Sequence, residues 1–246
     1  MSVFLVIPTY NEKDNLPLLV RKVFSVLPEA KMLIVDDASP DGTGVLAENL
    51  RQHYPERLFV LHRAGKQGLG SAYVMGFRQA LRLGATKVIQ MDADFSHPIE
   101  RLPKMLALAE DYDLVIGSRY VEGGQTPGLK GLRRLISWGG GVYTRAILGL
   151  KVRDVTSGFK CFDASVLADI DLDNFKMSGY GFQIELIYKT FLRNYRVVEM
   201  PICFKSRRQG ESKMGFKIVL EALLNVLVLR RDSFAFRRAY SAQLDY

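Results

Sequence analysis

The stretch Lys87–Pro98, "KVIQMDADFSHP", begins as a β-strand and ends as something else. Val88 and Ile89 are β-formers and Met91 is apolar. Two carboxylates, Asp92 and Asp94, stand where the strand must stop, and Pro98 stands where a helix can start. A carboxylate is costly to desolvate and gains nothing from a strand end, so the pair needs another purpose.

The same strand-to-helix passage recurs through the first 118 residues. "SVFLVIP", "KMLIVDD", "RLFVLH", "KVIQMD" and "DLVIGS" read as strands. Between them "EKDNLPLLVRKVFSVL", "DGTGVLAENLRQHY", "GSAYVMGFRQALRLG" and "PIERLPKMLALAED" read as helices, with Gly84 closing the third and Pro98 near the start of the fourth. Continuous apolar strands alternating with helices predict a mostly parallel sheet covered on both faces. Ligands of such sheets bind beyond the carboxyl ends of the strands. The unusual polar residues of this chain collect there: "PTYNE" after the first strand, "DDASPDGT" after the second, "DADFSH" after the fourth and "GSRY" after the fifth.

After Tyr120 the beat changes. A glycine-rich loop, "VEGGQTPGLKG", precedes a basic and aromatic helix, "LRRLISWGGGVYTRAILGL". "DVTSGFKCFDASVL" reads as a strand and a short helix, "YGFQIELIYKTFLRN" as a helix and "YRVVEMPICFKS" as a strand. The loop "RRQGESKMG" and an apolar helix, "FKIVLEALLNVLVLRR", follow.

Composition narrows the function classes. At 246 residues and 48% hydrophobic, the chain suits one large domain or one domain with an appendage. No run of 18 apolar residues predicts a bilayer-crossing helix. The N-terminus lacks a basic region and a cleavage site, so it reads as a first strand and not as a signal peptide. Cys161 and Cys203 read as buried thiols, which points to a cytosolic chain. The formal net charge is +8, and it is uneven. Residues 1–118 hold 13 Lys/Arg against 14 Asp/Glu, residues 119–160 hold 8 against 2, and residues 204–246 hold 9 against 4. Such basic segments suit nucleic acid, anionic lipid headgroups or phosphorylated substrates.

Two nucleotide motifs are missing. The first strand is not followed by G-x-G-x-x-G, and "GKQGLGSA" has Tyr73 where a third glycine would stand and is not a P-loop. Its glycines read as a tight turn into a helix. Asp92 and Asp94, spaced i and i+2 at a strand end, can instead face a diphosphate through a shared divalent cation, because Mg2+ and Mn2+ prefer oxygen ligands. An Asx-type turn is the competing reading of the same spacing.

Together "VIPTYNE", "IVDDASPDGT", "MDADFSHP", "GSRY" and "GESK" resemble the family 2 glycosyltransferases, especially those that make dolichyl- or polyprenyl-phosphate mannose. The resemblance runs from Phe4 to about Gly215. It implies an α/β, Rossmann-like glycosyltransferase A-type fold, with a mostly parallel central sheet and C-terminal amphipathic interface helices. Residues 1–215 would be the catalytic domain, with a nucleotide-binding half (1–118) and an acceptor half (119–215), and residues 216–246 a helix and tail.

By this resemblance Pro8, Tyr10 and Glu12 line the base and ribose of the donor. Val35 and Asp37 share a strand face in the same pocket, while Asp36 points into the fold. Asp92 and Asp94 are the pair for Mg2+ or Mn2+, Ala93 leaves room for the nucleotide, and Ser96 adds a ligand or a water contact. Arg119, Arg207 and Lys213 offset the charge of the departing diphosphate and with Asp94 form the catalytic set. Arg133 and Ser137, four residues apart, lie near the lipid phosphate. Asp154, Gln183 and Glu185 either line the sugar pocket or are structural.

The implied reaction is transfer of mannose, with inversion, from GDP-mannose to a polyprenyl monophosphate. It would take place on the cytoplasmic face of a membrane, reached by surface binding or through an anchoring partner. Trp138, Tyr143 and their basic neighbours, and residues 216–229, suit that surface. Two readings stay open: a UDP-glucose or UDP-N-acetylhexosamine transferase to the same lipid, and a catalytically silent nucleotide-sugar-binding subunit. A nucleic-acid partner is not expected, since it leaves Asp92 and Asp94 unexplained.

Overall fold

The computed structural model describes residues 1–127, 131–177, 179–205 and 224–233, with the backbone alone for 131–137 and 180. Its strands are β1 (Val3–Thr9), β2 (Lys31–Asp36), β3 (Leu58–His62), β4 (Lys87–Gln90), β5 (Leu114–Ser118), β6 (Lys160–Asp163) and β7 (Val197–Pro201). They form one sheet in the order β3-β2-β1-β4-β6-β5-β7. The helices are α1 (Leu16–Val26), α2 (Thr43–His53), α3 (Leu69–Arg82), α4 (Leu102–Leu108), α5 (Gly131–Leu148), α6 (Ala164–Asp169), α7 (Tyr180–Leu192) and α8 (224–233).

The strands are apolar at successive positions because both faces of the sheet are covered. On β1, Val3, Leu5 and Ile7 enter one core and Phe4 and Val6 the other. On β2, Met32 and Ile34 oppose Leu33 and Val35 in the same way. The first core is filled by Leu16 and Leu19 of α1 and Leu102 and Met105 of α4. The second is filled by Tyr73 and Phe77 of α3, Ile187 of α7, and Val226 and Leu229 of α8. The sequence pattern of a doubly covered, mostly parallel sheet is therefore what the chain forms.

Two helices start later than their hydrophobic pattern, for one reason. α1 begins at Leu16 with Pro17 in its first turn, and α4 begins at Leu102 with Pro103 in its first turn, after a 3-10 turn over Ile99–Arg101. A proline inside the helix would forfeit an N–H and strike the carbonyl four residues back, so the α-helix starts where the proline costs nothing.

β6 is the exception to parallel order. It runs antiparallel to both neighbours, pairing Gln90 with Lys160 and Ile116 with Lys160. The strand therefore enters the sheet at the edge where β4 and β5 end, and it brings residues 154–160 to that edge. The chain also leaves β1 toward β2 on one side and pairs β4 on the other. Such a reversal opens a crevice beyond the carboxyl ends of β1 and β4.

α3 lies close on β1 and β2 because Gly76 has no side chain. A Cβ there would stand 2.3 Å from Val6 Cγ1 and 3.1 Å from Val35 Cγ2. Gly76→Ala is expected to destabilise the fold by about 1–3 kcal/mol in urea unfolding, since β-branched neighbours inside a packed core cannot give way. An unchanged midpoint would mean that α3 can lift off the sheet without cost.

Candidate active site

The loops after β1 and β2 are stitched to each other by backbone donors. The N–H groups of Asn11, Glu12 and Lys13 donate to Ser39 Oγ (3.1 Å), Thr43 Oγ1 (2.9 Å) and Asp41 Oδ2 (3.2 Å). Asp36 anchors the arrangement from below: it is buried and accepts from Thr9 Oγ1 (3.1 Å), Ser39 Oγ (2.6 Å) and the Ser39 N–H (3.1 Å). The "DDASPDGT" polar run is thus largely spent on shaping two loops, and Asp36 faces the fold.

Asp37 turns the other way and meets Arg63 at the end of β3. Arg63 Nη1 donates to Asp37 Oδ1 at 2.5 Å, and Nη2 donates to Gln67 Oε1 (3.2 Å) and Ser71 Oγ (2.6 Å). Burial pushes the Asp37 carboxyl up, Arg63 pulls it back, and the balance stays above the ordinary carboxylate value. Nearby, Tyr10 is exposed, with the Lys66 ammonium 4.1 Å from its ring centre, and Glu12 accepts from Asn15 Nδ2 at 2.7 Å. Pro8, Tyr10, Glu12 and Asp37 therefore gather at the carboxyl edge of β1 and β2. Val35 lies beneath them, fully buried in the core under α3. Gly68 caps α3 at φ +95°, so the glycine-rich run is a turn into a helix.

Asp92 and Asp94 sit just past β4. Tyr73 O–H donates to Asp92 Oδ1 at 2.7 Å, and the Asp92 N–H donates to His97 Nδ1 at 3.2 Å. The His97 proton is then on Nε2, which stands 4.0 Å from Asp92 Oδ2. His97 is buried between the rings of Phe159 and Phe204, and burial holds it below the ordinary histidine value, so it is neutral. Asp94 Oδ1 accepts the Ser96 N–H (3.0 Å) across Phe95, whose φ is +59°. Ala93 is buried between the two carboxylates.

These residues fit a hard divalent cation. Ser96 is 1% exposed, and its Oγ has no hydrogen-bond partner, an orphan that the same loop sets beside two carboxylates. Gly158 leaves the space beside Asp92 Oδ2 open; a Cβ there would begin 3.5 Å from that oxygen. Among the described residues no three His, Cys, Asp or Glu side chains form a self-sufficient metal site. Two carboxylates and a hydroxyl suit a cation that takes its remaining ligands from phosphate and water.

Beyond β6, at the end of β5, partly buried Arg119 pairs with fully buried Asp154. Arg119 donates through N (2.9 Å), Nε (2.8 Å) and Nη2 (2.7 Å) to Asp154, and Nη2 also to Thr156 Oγ1 (2.7 Å). Glu199 holds this loop by accepting the N–H groups of Arg153 and Asp154. The Arg119 cation thus enters the site already matched to a carboxylate. Behind it, fully buried Lys160 donates to the Ser157 carbonyl and to Gln183, whose Oε1 also accepts from Gln90 Nε2 at 2.8 Å. Burial drives Lys160 down to about 7 against the attraction of Asp154 and Asp92. Glu185 is buried too, accepting the N–H groups of Lys176 (2.9 Å) and Met177 (3.0 Å) and pairing with Lys189 (3.2 Å). In this arrangement Asp154, Gln183 and Glu185 are structural partners.

Arg207 and Lys213 lie outside the described residues. Arg133 and Ser137 fall on α5, one turn apart, with their side chains outside the described set. Sequence reading did not find Arg63, Tyr73, His97 or Lys160. Tyr73 occupies a core position of an amphipathic helix and looks like any buried aromatic. His97 stands inside the quoted stretch, and its spacing from Asp92 was the available signal. Arg63 and Lys160 are single cations in strand contexts, and nothing local announces their partners.

A family model described as glycosyl transferase family 2 matches residues 4–171, and the chain belongs to that family. It is a glycosyltransferase. It is similar, at 46% identity over 92% of this chain and 93% of the relative, to an undecaprenyl-phosphate mannosyltransferase of Micrococcus luteus. It is 43% identical, over 90% of this chain and 84% of the relative, to a polyprenol monophosphomannose synthase of Mycolicibacterium smegmatis. Its fold matches that of glucosyl-3-phosphoglycerate synthase from Mycobacterium tuberculosis, solved with Mn2+, UDP-glucose and phosphoglyceric acid. That match has a TM-score of 0.68 at 17% identity, over 93% of this chain and 79% of the other.

Removing Arg119 would leave Asp154 charged, fully buried and unmatched. Arg119→Ala is expected to lower unfolding free energy by about 3–5 kcal/mol, in addition to any effect on activity. A urea midpoint like that of the wild type would show that water replaces the guanidinium at no cost.

Proposed function

We propose that this protein transfers mannose from GDP-mannose to a polyprenyl monophosphate at a membrane surface, with inversion at the sugar. The observation that carries the reading is the Asp92–Asp94 pair, with its orphaned Ser96 hydroxyl, in the crevice between the carboxyl ends of β1 and β4. The two mannosyl-transferring relatives, each similar over nine-tenths of this chain, support the sugar and the lipid. The Mn2+ in the structurally similar synthase supports the use of Mg2+ or Mn2+.

Pro8, Tyr10, Glu12 and Asp37 would take the nucleoside, with Asp37 accepting from base or ribose donors. Asp92, Asp94 and Ser96 would hold the cation, which when bound neutralises the donor diphosphate. Arg207 and Lys213 would add positive charge as the nucleoside diphosphate departs. Arg133 and Ser137 would receive the lipid phosphate.

An acceptor phosphate oxygen attacks the anomeric carbon, and the bond from that carbon to the donor phosphate breaks, its electron pair leaving on GDP. No proton has to be removed, because a phosphate monoester with a second pKa of about 6 is largely ionised at pH 7. The buried carboxylates agree with this: Asp154 is matched to Arg119, and Glu185 to two backbone N–H groups and Lys189. Neither is placed as a general base.

Transfer of radiolabelled mannose from GDP-mannose into organic-extractable product tests the reading. Asp94→Asn is expected to lose at least about 10²-fold, since it removes a charged metal ligand while keeping the shape. Glu185→Gln is expected to keep the chemical step within about tenfold, with the rate rising through pH ~6 and then levelling off. Wild-type transfer by Asp94→Asn, or a loss above about 10³-fold in the single-turnover step of Glu185→Gln, would overturn the scheme.

The membrane term rests on two exposed features. Trp138 of α5 is 55% exposed, and α8 presents Leu224, Leu227 and Val228 while burying Val226 and Leu229. Among the described residues no helix is long and apolar enough to cross a membrane. Flotation with liposomes is expected to improve with anionic lipid and fall with salt, at about 1 kcal/mol per Lys or Arg near the surface. Absence of co-flotation in every lipid mixture would count against surface docking.

A further inference from the structure

Asp92 is held by a group from outside its own loop. Tyr73 lies on the buried face of α3, with its ring 5.7 Å from Phe77 and 6.4 Å from Phe182, the latter at an interplanar angle of 1°. Phe182 is in turn packed 4.7 Å from Phe175. The hydroxyl emerges from this stack to donate to Asp92 Oδ1. The other oxygen differs. His97 Nε2 is 4.0 Å away, beyond hydrogen-bond reach, and Gly158 places no side chain beside it.

We infer that Tyr73 is a positioning residue that confines Asp92 to one-oxygen metal ligation and so favours Mg2+ and Mn2+ over Ca2+. The inference rests on the reading of Asp92 and Asp94 as metal ligands. Its physical basis is the difference between the cations. Ca2+ takes six to eight oxygens at longer distances and accommodates carboxylates through both oxygens, whereas Mg2+ demands near-octahedral geometry with short bonds. A hydroxyl on Oδ1 occupies one of its lone pairs and so disfavours ligation through both oxygens of Asp92. It also fixes the carboxylate plane, because the donor sits on a helix packed into the core. Partners outside the ligand set commonly tune a metal site in this way.

Tyr73→Phe tests this, because it keeps the ring and deletes only the donor. Mn2+ binding in the presence of GDP is measured by electron paramagnetic resonance, with Ca2+ as competitor. The preference for Mn2+ over Ca2+ is expected to fall about tenfold in Tyr73→Phe, with the melting temperature held within a few degrees. Phe175→Leu, which disturbs the stack one ring away and leaves the hydroxyl, is expected to stay within about twofold of wild type. An unchanged preference in Tyr73→Phe, or an equal loss in Phe175→Leu, overturns the inference while the metal reading stands. Absence of Mn2+ binding by the wild-type protein with GDP, or full binding by Asp92→Asn, removes the metal reading itself and the inference with it.

Discussion

A sheet buried on both faces has nowhere to put an ionisable side chain except its edges, and there each charge needs a partner. Most of the carboxylates at the carboxyl edge of this sheet have one. Asp36 has the hydroxyls of Thr9 and Ser39, Asp37 has Arg63, and Asp154 has Arg119. Asp92 resembles Asp36 in being held by a hydroxyl, that of Tyr73, and the imidazole beside it is neutral. Lys160, which attracts Asp92, is so deeply buried that its charge is only marginally retained near pH 7. The proposed cation at Asp92 and Asp94 would benefit from that, because a resident cation would compete with it.

The strand β6 decides which groups share the crevice. By running against its neighbours it starts at the edge where β4 and β5 finish, and the segment leading into it carries Asp154, Thr156 and Gly158 into the site. Arg119 is drawn toward Asp154, and His97 is enclosed by Phe159 and Phe204. One antiparallel strand therefore joins the strand-end motifs of the first half of the chain to residues of the second.

Stability and chemistry are coupled here through partners. Arg119 offsets the buried charge of Asp154 and also stands beside the candidate site. Glu185 offers the opposite case, a buried acid whose partners are two backbone N–H groups and a lysine on its own helix. Its burial organises the entry to α7 and gives it no route to an acceptor.

Local chemistry made the fold readable from the sequence. Continuously apolar strands and helices with proline in the first turn are set by residues within a few positions of one another, as in β1 and α1. The pair proposed to hold the metal stood out for the same reason: Asp92, Asp94 and Ser96 lie within five residues, and desolvation makes carboxylates at a strand end conspicuous. Tertiary structure alone decided the rest. Asp154 looked equally suited to sugar binding and to structure until Arg119, 35 residues earlier in the chain, was brought against it. In the sequence Tyr73 marks only the place where a third glycine would stand, and the crossing of α3 over β1 and β2, which Gly76 makes close enough, aims its hydroxyl at Asp92. Such pairings depend on where distant segments meet, and hydrogen bonds of 2.7–2.9 Å leave no trace in the spacing of the residues that make them.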